Sequence, residues 1–176
     1  MIRPFAEHTP NLSDNAYIDD TALLIGQVTL GENSSIWPMS VLRGDVQAIT
    51  IGENTNIQDS CVLHVTHASS RTTPNGIPLI IGNNITVGHK ALLHACTIHD
   101  NCLIGMGSIV MDNATIHSNT IIGAGSLVPP NKTLESSYLW VGNPVKKVRE
   151  LTKKELEYIK YSADNYVSLA QKTYKY

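Results

Sequence analysis

An all-β solenoid closed by a C-terminal α-helix is predicted by three observations. Branched aliphatics recur at every sixth residue, small residues follow four places behind them, and the last segment carries the capping and periodicity of an amphipathic helix. The aliphatic series runs Ile18, Leu24, Leu30, Ile36 and Leu42. It resumes after three extra residues at Ile51, Ile57 and Leu63, then at Ile81, Val87 and Leu93. One deletion later comes the longest run: Ile98, Ile104, Val110, Ile116, Ile122 and Val128. Neither the 3.6-residue helical period nor simple alternation produces a strict six. A stack of short strands and turns does, with three sides closing a triangular coil of 18 residues and each coil pairing with the next through parallel ladders about 4.8 Å apart.

Each element follows from this frame. Cys102, Ser108, Ala114, Thr120 and Ser126 supply small side chains for tight corners, and Cys61 falls at the same kind of position. The stretch Ser69 to Pro78, SSRTTPNGIP, interrupts the beat with turn formers and reads as a loop thrown out of one corner, near residues 66–78. Thr152 and Glu155 form a T-x-x-E capping box, followed by Leu156, Ile159, Ala163, Tyr166 and Ala170 on one helical face. The expected organisation is a solenoid over 1–150 and a helix over 151–176, packed on the solenoid or on a neighbour.

Composition narrows the function classes. A chain of 176 residues with a formal charge of -2 and no long basic run offers no groove for nucleic acid and no patch for an anionic membrane. Three cysteines, an odd number without C-x-x-C spacing, fit reduced thiols in the cytoplasm. No segment approaches the roughly 20 apolar residues of a membrane span.

The 18-residue coil also places the histidines. Leu63 and Leu93 are 30 residues apart; removing about 12 for the extruded loop leaves one coil, so His64 and His94 stack on one outer face. Arg43 falls a coil below His64, and Asp59 below His89. His89 precedes His94 by about one side of the triangle, roughly 16–20 Å of extended chain. Zinc nitrogens lie about 2.0–2.1 Å from the ion, so one subunit does not gather all three imidazoles. A three-fold oligomer does, by setting the His64/His94 face of one subunit against the His89 edge of the next, with the fourth position left open as in catalytic sites. The alternative is that these are ordinary solvated or interface residues. His8, His99 and His117 have no such partners and read as surface residues.

The segments VLRGD (Val41 to Asp45), NIQD (Asn56 to Asp59), LHVTH (Leu63 to His67), VGHKALLH (Val87 to His94) and VGNPVKKVR, with SADNYV in the terminal helix, resemble the gamma-class carbonic anhydrases in kind, order and spacing. The resemblance implies a left-handed parallel β-helix of hexapeptide repeats and a homotrimer. It implies a zinc ion, or alternatively Fe(II) or Co, held by His64 and His94 of one subunit and His89 of the next, and carbon dioxide and bicarbonate as substrates. Arg43 and Asp45 take the place of an interface ion pair that also positions bicarbonate, with Asp59 as its partner. Gln58 takes the place of the group that orients a metal-bound hydroxide. The sequence departs from the best-studied active members where they carry acids for proton export: Val46 follows the Arg-Gly-Asp segment, and Thr66 to Pro78 contains no acid. His67 is the candidate shuttle, because a free imidazole titrates near pH 6.5. Tyr161 or Tyr166 of the terminal helix lines the pocket in this picture. Two other readings share the fold: an acyltransferase using acyl-CoA without a metal, and a metal-dependent ester or thioester hydrolase or an inactive trimeric scaffold.

Overall fold

The computed structural model describes residues 1–71 and 73–173. The chain winds as a left-handed parallel β-helix, followed by one helix, α1 (Lys153–Thr173). The predicted helix ran to residue 176; 174–176 lie outside the described residues, as does Thr72 of the predicted loop.

Three faces make each coil. The first carries Val62–His64, Leu92–His94, Ile109–Val110 and Leu127–Val128; the second carries Leu79–Ile81, Thr97–Ile98, Thr115–Ile116 and Thr133–Leu134. The third carries Tyr17–Ile18, Ser35–Ile36, Asn56–Ile57, Thr86–Val87, Cys102–Ile104 and Thr120–Ile122. The first and second faces run together near the start of the stack, where the long strands Leu23–Leu30 and Val41–Ile51 turn a corner without breaking.

The six-residue beat is the core. From Leu24 to Val128 every aliphatic of the predicted series is at most 2% exposed, and each contributes about 1.5–3 kcal/mol by leaving water. Ile18 is the exception: it lies in the first coils, where less of the stack covers it, and is only partly buried against the core. Corner hydroxyls fasten coil to coil: Ser34 Oγ donates to the Gly52 carbonyl and Ser40 Oγ to the Gln58 carbonyl, each at 2.7 Å. The corners demand left-handed backbone, and among the described residues seven of the 13 non-glycine positions with positive φ are asparagines, the side chain that tolerates that region best. All three cysteines are buried and free, with burial pushing the Cys61 and Cys102 thiols up to about 12, so packing is their role.

The stack does not end in a parallel coil. Tyr138–Gly142 pairs antiparallel with Val145–Glu150, and this hairpin closes the third face. Beyond it α1 is capped as its sequence predicts: Thr152 N donates to Glu155 Oε2 at 2.8 Å, and Glu155 N to Thr152 Oγ1 at 3.3 Å. The helix packs on its own solenoid, burying Ile159 and Ala163 against the third face, where the Thr86 and Ser162 hydroxyls meet at 2.9 Å. Among the described residues no helix is long and apolar enough to cross a membrane.

Candidate metal centre

His64 and His94 are neighbours because their strands are in register: Leu63 pairs with Leu93 and His64 with His94. The intervening loop is pinched off at its base by reciprocal backbone bonds between Thr66 and Ile77, which keeps the count at one coil. The Ala95 amide donates to the His64 carbonyl at 2.9 Å, locking the two corners together.

Carboxylates grip both rings from outside. Asp45 Oδ1 lies 3.1 Å from His64 Nε2, and Asp112 Oδ1 lies 2.7 Å from His94 Nδ1. An ionised carboxylate only accepts, so both ring protons point outward. The inner nitrogens, His64 Nδ1 and His94 Nε2, are then left facing each other at 3.1 Å. Two lone pairs at that separation repel unless a proton or a cation lies between them. Burial depresses the His64 pKa despite the opposing hydrogen bond that its ring donates to Asp45, which disfavours placing an extra proton on that ring. Two nitrogens bound tetrahedrally to one ion at 2.0–2.1 Å stand about 3.3 Å apart, so the donor set fits a zinc-like cation.

Asp45 reaches His64 through the three extra residues of the series. Gly26 pairs with Gly44, but Val28 pairs with Ile49, so the chain bulges outward between them. The bulge carries Asp45, whose other oxygen accepts from Arg43 Nη1 at 2.6 Å. Burial raises the Asp45 pKa, but the bonds from Arg43 and His64 outweigh it and hold the carboxyl below its usual range. The same balance, with Thr66 and His94 as donors, holds Asp112 low.

His89 stands elsewhere, on the corner after the third face, with Asp59 one coil below it and Oδ2 at 2.8 Å from Nδ1. Its neighbour Lys90 takes a φ of 60°, which turns the chain away and leaves the imidazole projecting. Among the described residues no group of three His, Cys, Asp or Glu side chains gathers as a metal cage within one chain. Between the two half-sites lies the first face, whose outward residues Val62, Leu92 and Ile109 stand in register and are 43%, 38% and 36% exposed.

Beside His89 a groove of about 480 Å³ opens between the third face and α1, bordered by Gln58, Met106, Tyr158 and Tyr166. Gln58 is 5% exposed and its Nε2 donates to Asn56 Oδ1 at 3.2 Å. Tyr166 packs edge-on against Trp37, ring centroids 5.2 Å apart. Tyr161 is 62% exposed and lies outside the groove's lining, whereas Tyr158, not singled out in the sequence, lines it. His67 is exposed on the loop. Asp112 also went unforeseen, although it lies 18 residues after His94, the same count that aligned the histidines. His99 and His117 stack on each other on the far corner, centroids 5.2 Å apart.

Comparison with known proteins fits this geometry. Residues 95–130 match the bacterial transferase hexapeptide (six repeats) family. The chain is 50% identical to Protein YrdA of Escherichia coli over 95% of its own length and 90% of that protein. It is 46% identical to a carbonic anhydrase of Geobacillus kaustophilus, covering 97% of this chain and 90% of that one. Mitochondrial gamma carbonic anhydrase 2 of Arabidopsis thaliana is 41% identical over 94% of this chain, which spans 59% of that longer protein. Among solved structures, a hexapeptide transferase family protein of Anaplasma phagocytophilum superposes with a TM-score of 0.90 at 41% identity, over 98% of this chain and 97% of that one. The N-acyltransferase AntD of Bacillus cereus, at 20% identity and a TM-score of 0.52 over 93% of this chain and 91% of that one, shares the fold alone.

Proposed function

The chain belongs to the gamma-class carbonic anhydrase family, and from that premise we propose that it is a cytoplasmic homotrimer interconverting carbon dioxide and bicarbonate at a divalent ion. His64 and His94 of one subunit and His89 of the next hold the ion, zinc or alternatively Fe(II) or Co. The observation that carries this reading is the pair of inner nitrogens facing at 3.1 Å while a carboxylate engages the other nitrogen of each ring. The exposed aliphatic row between the two half-sites supports a second copy as the cover of the first face.

Lewis acidity is what such an ion supplies when bound: it brings the pKa of water down to about 7 and so makes hydroxide available at neutral pH. The chain's own groups do the rest. Asp45, Asp59 and Asp112 each accept from one imidazole and so fix which nitrogen faces the ion. Gln58, anchored through its Nε2 at the border of the groove, orients the attacking oxygen. Arg43 has one arm on Asp45 and, at 45% exposure, keeps further donors for a bicarbonate oxygen. His67 on the loop carries the proton to solvent, and Tyr166 walls the groove.

A second reading has one observation in its favour. The groove is far larger than carbon dioxide requires, and its apolar floor of Leu103, Ile104 and Ile121 suits the acyl part of a small ester or thioester. Elemental analysis of anaerobically purified protein, with carbon dioxide hydration and ester hydrolysis assayed on the same sample, decides between them. A loaded protein that hydrates carbon dioxide supports the first reading, and a loaded protein that hydrolyses esters alone overturns it. An empty protein under every purification would remove both.

A further inference from the structure

We propose that Asp112, held by the Thr66 hydroxyl, is a positioning residue that fixes His94 with its proton on Nδ1 and keeps Nε2 unprotonated, its lone pair available to a metal; its bearing on metal capture rests on the three-imidazole reading above. Both carboxylate oxygens are committed. Oδ1 accepts from His94 Nδ1 at 2.7 Å, and Oδ2 accepts from Thr66 Oγ1. With one oxygen tied at each side, the carboxylate has no freedom to rotate away from the imidazole.

The two anchors are themselves rigid. Thr66 closes the base of the extruded loop, giving and receiving backbone bonds with Ile77 at 3.0 and 2.9 Å. Asp112 sits at a corner where Met111 N donates to the Val128 carbonyl at 3.1 Å and Asn113 N to the Ala95 carbonyl at 2.7 Å. Thr66 and Asp112 are 46 residues apart in sequence. Their contact ties the loop to the corner above His94, so His94 is braced by the coil above and the loop beside it.

The chemical consequence is tautomer selection. A neutral imidazole carries its proton on either nitrogen, and a group that only accepts selects the one that donates to it. Asparagine at 112 keeps the shape but offers an amide N–H as well as a carbonyl, so it pairs with either tautomer. Outer carboxylates of this kind are worth 10–100-fold in metal affinity.

The test reads the tautomer first, in metal-stripped protein labelled with nitrogen-15 at histidine, by two-bond nitrogen–proton correlation. Zinc affinity is then measured by competition with a chromophoric chelator. We expect His94 of the unaltered chain in the Nδ1–H form. Asp112→Asn shifts it toward Nε2–H and weakens zinc 10–100-fold, Thr66→Val has a smaller effect of the same sign, and Thr66→Ser restores the original behaviour. An Nε2–H tautomer in the unaltered chain, or Asp112→Asn with tautomer and affinity unchanged, overturns the proposal. Should Asp112→Asn fail to fold, the Thr66→Val and Thr66→Ser pair decides, and a Thr66→Val protein indistinguishable from the unaltered chain counts against it. An unaltered chain that shows the Nδ1–H form yet takes up no zinc would sink the three-imidazole reading while leaving the tautomer assignment in place.

Discussion

His89 and Asp59 stand one coil apart on the same corner, Nδ1 to Oδ2 at 2.8 Å, each with 42% of its side chain exposed. Neither belongs to the buried aliphatic column, so His89→Ala removes a proposed ligand without opening a core cavity. Bound metal is expected to fall from stoichiometric to below about a tenth, while the metal-free variant stays within about 0.5 kcal/mol of the metal-free parent. Elemental analysis and denaturant unfolding, both on stripped protein for the stability comparison, check the two halves. The stripped reference is needed because an ion bound only to the folded state adds stability by mass action.

That pair was legible before any coordinates, because 30 residues less a 12-residue loop equals one coil, and the count that stacks His94 on His64 also stacks His89 on Asp59. Counting in 18s fails where the chain leaves the lattice. Asp45 meets His64 only because three extra residues bulge the strand outward, and a bulge's direction depends on backbone geometry that a period does not encode. Asp112 lay on the lattice, but an isolated aspartate in a turn carries no sign of its partner until the loop base brings Thr66 beside it. Which tyrosine faces the groove depends on the rotation of α1, which Ile159 and Ala163 set by packing. The closing hairpin was invisible for a related reason: Val145–Glu150 has exposed side chains after its first residue, so no inward aliphatic announces it.

Backbone approach at the bulge gives a second prediction. Gly26 has a φ of 73°, and a Cβ there would overlap the Gly44 carbonyl oxygen. Gly26→Ala therefore combines left-handed strain with overpacking and should cost about 2–4 kcal/mol. Because Gly44 lies between Arg43 and Asp45, the ion pair shifts as well. Denaturant midpoints, read beside zinc affinity, should fall together; a neutral substitution would mean that the corner is far more plastic than its geometry suggests.

The terminal helix supplies a pH signature. Hydrogen bonds from Arg149 first, then from the Thr152 amide and hydroxyl, hold Glu155 down at about 2. A carboxylate with a depressed folded-state pKa stabilises the fold fully above its unfolded value, near 4.3, and that contribution is lost as pH falls through the folded value. Glu155→Gln should flatten the fall in stability between about pH 4.3 and 2, and leave the curve parallel to the parent's above pH 5. Unfolding midpoints across that range test the sign; a variant curve that steepens on acidification would refute the assignment.

The thiols give a fourth, simple measurement. Burial raises Cys61 and Cys102 to about 12 and pushes Cys96 up as well, so thiolate is scarce at neutral pH. A disulfide reagent at pH 8 should find no fast-reacting thiol in the native protein and three per chain after denaturation. Fast native reaction would show that the coils open readily.

Leu92 lies in the middle of the exposed aliphatic row, in register with Val62 and Ile109, with the His64/His94 corner on one side of that face and the His89 corner on the other. If a second copy covers this face, Leu92→Glu places a charge in the seam and should yield a monomer that folds but binds no metal, with all three imidazoles intact. A metal-loaded monomer would contradict sharing between subunits. Complementation tests the same point more sharply. His89→Ala alone and His64→Ala/His94→Ala alone should each be empty, since each lacks its share of every site. Co-expressed in equal amounts, the two chains mix at random, and a site is intact only where the first supplies His64 and His94 and the second supplies His89. In a cyclic trimer that combination occurs at about one boundary in four, so metal and turnover should recover to roughly a quarter of the parent's. Sites built within one chain would give no recovery at all.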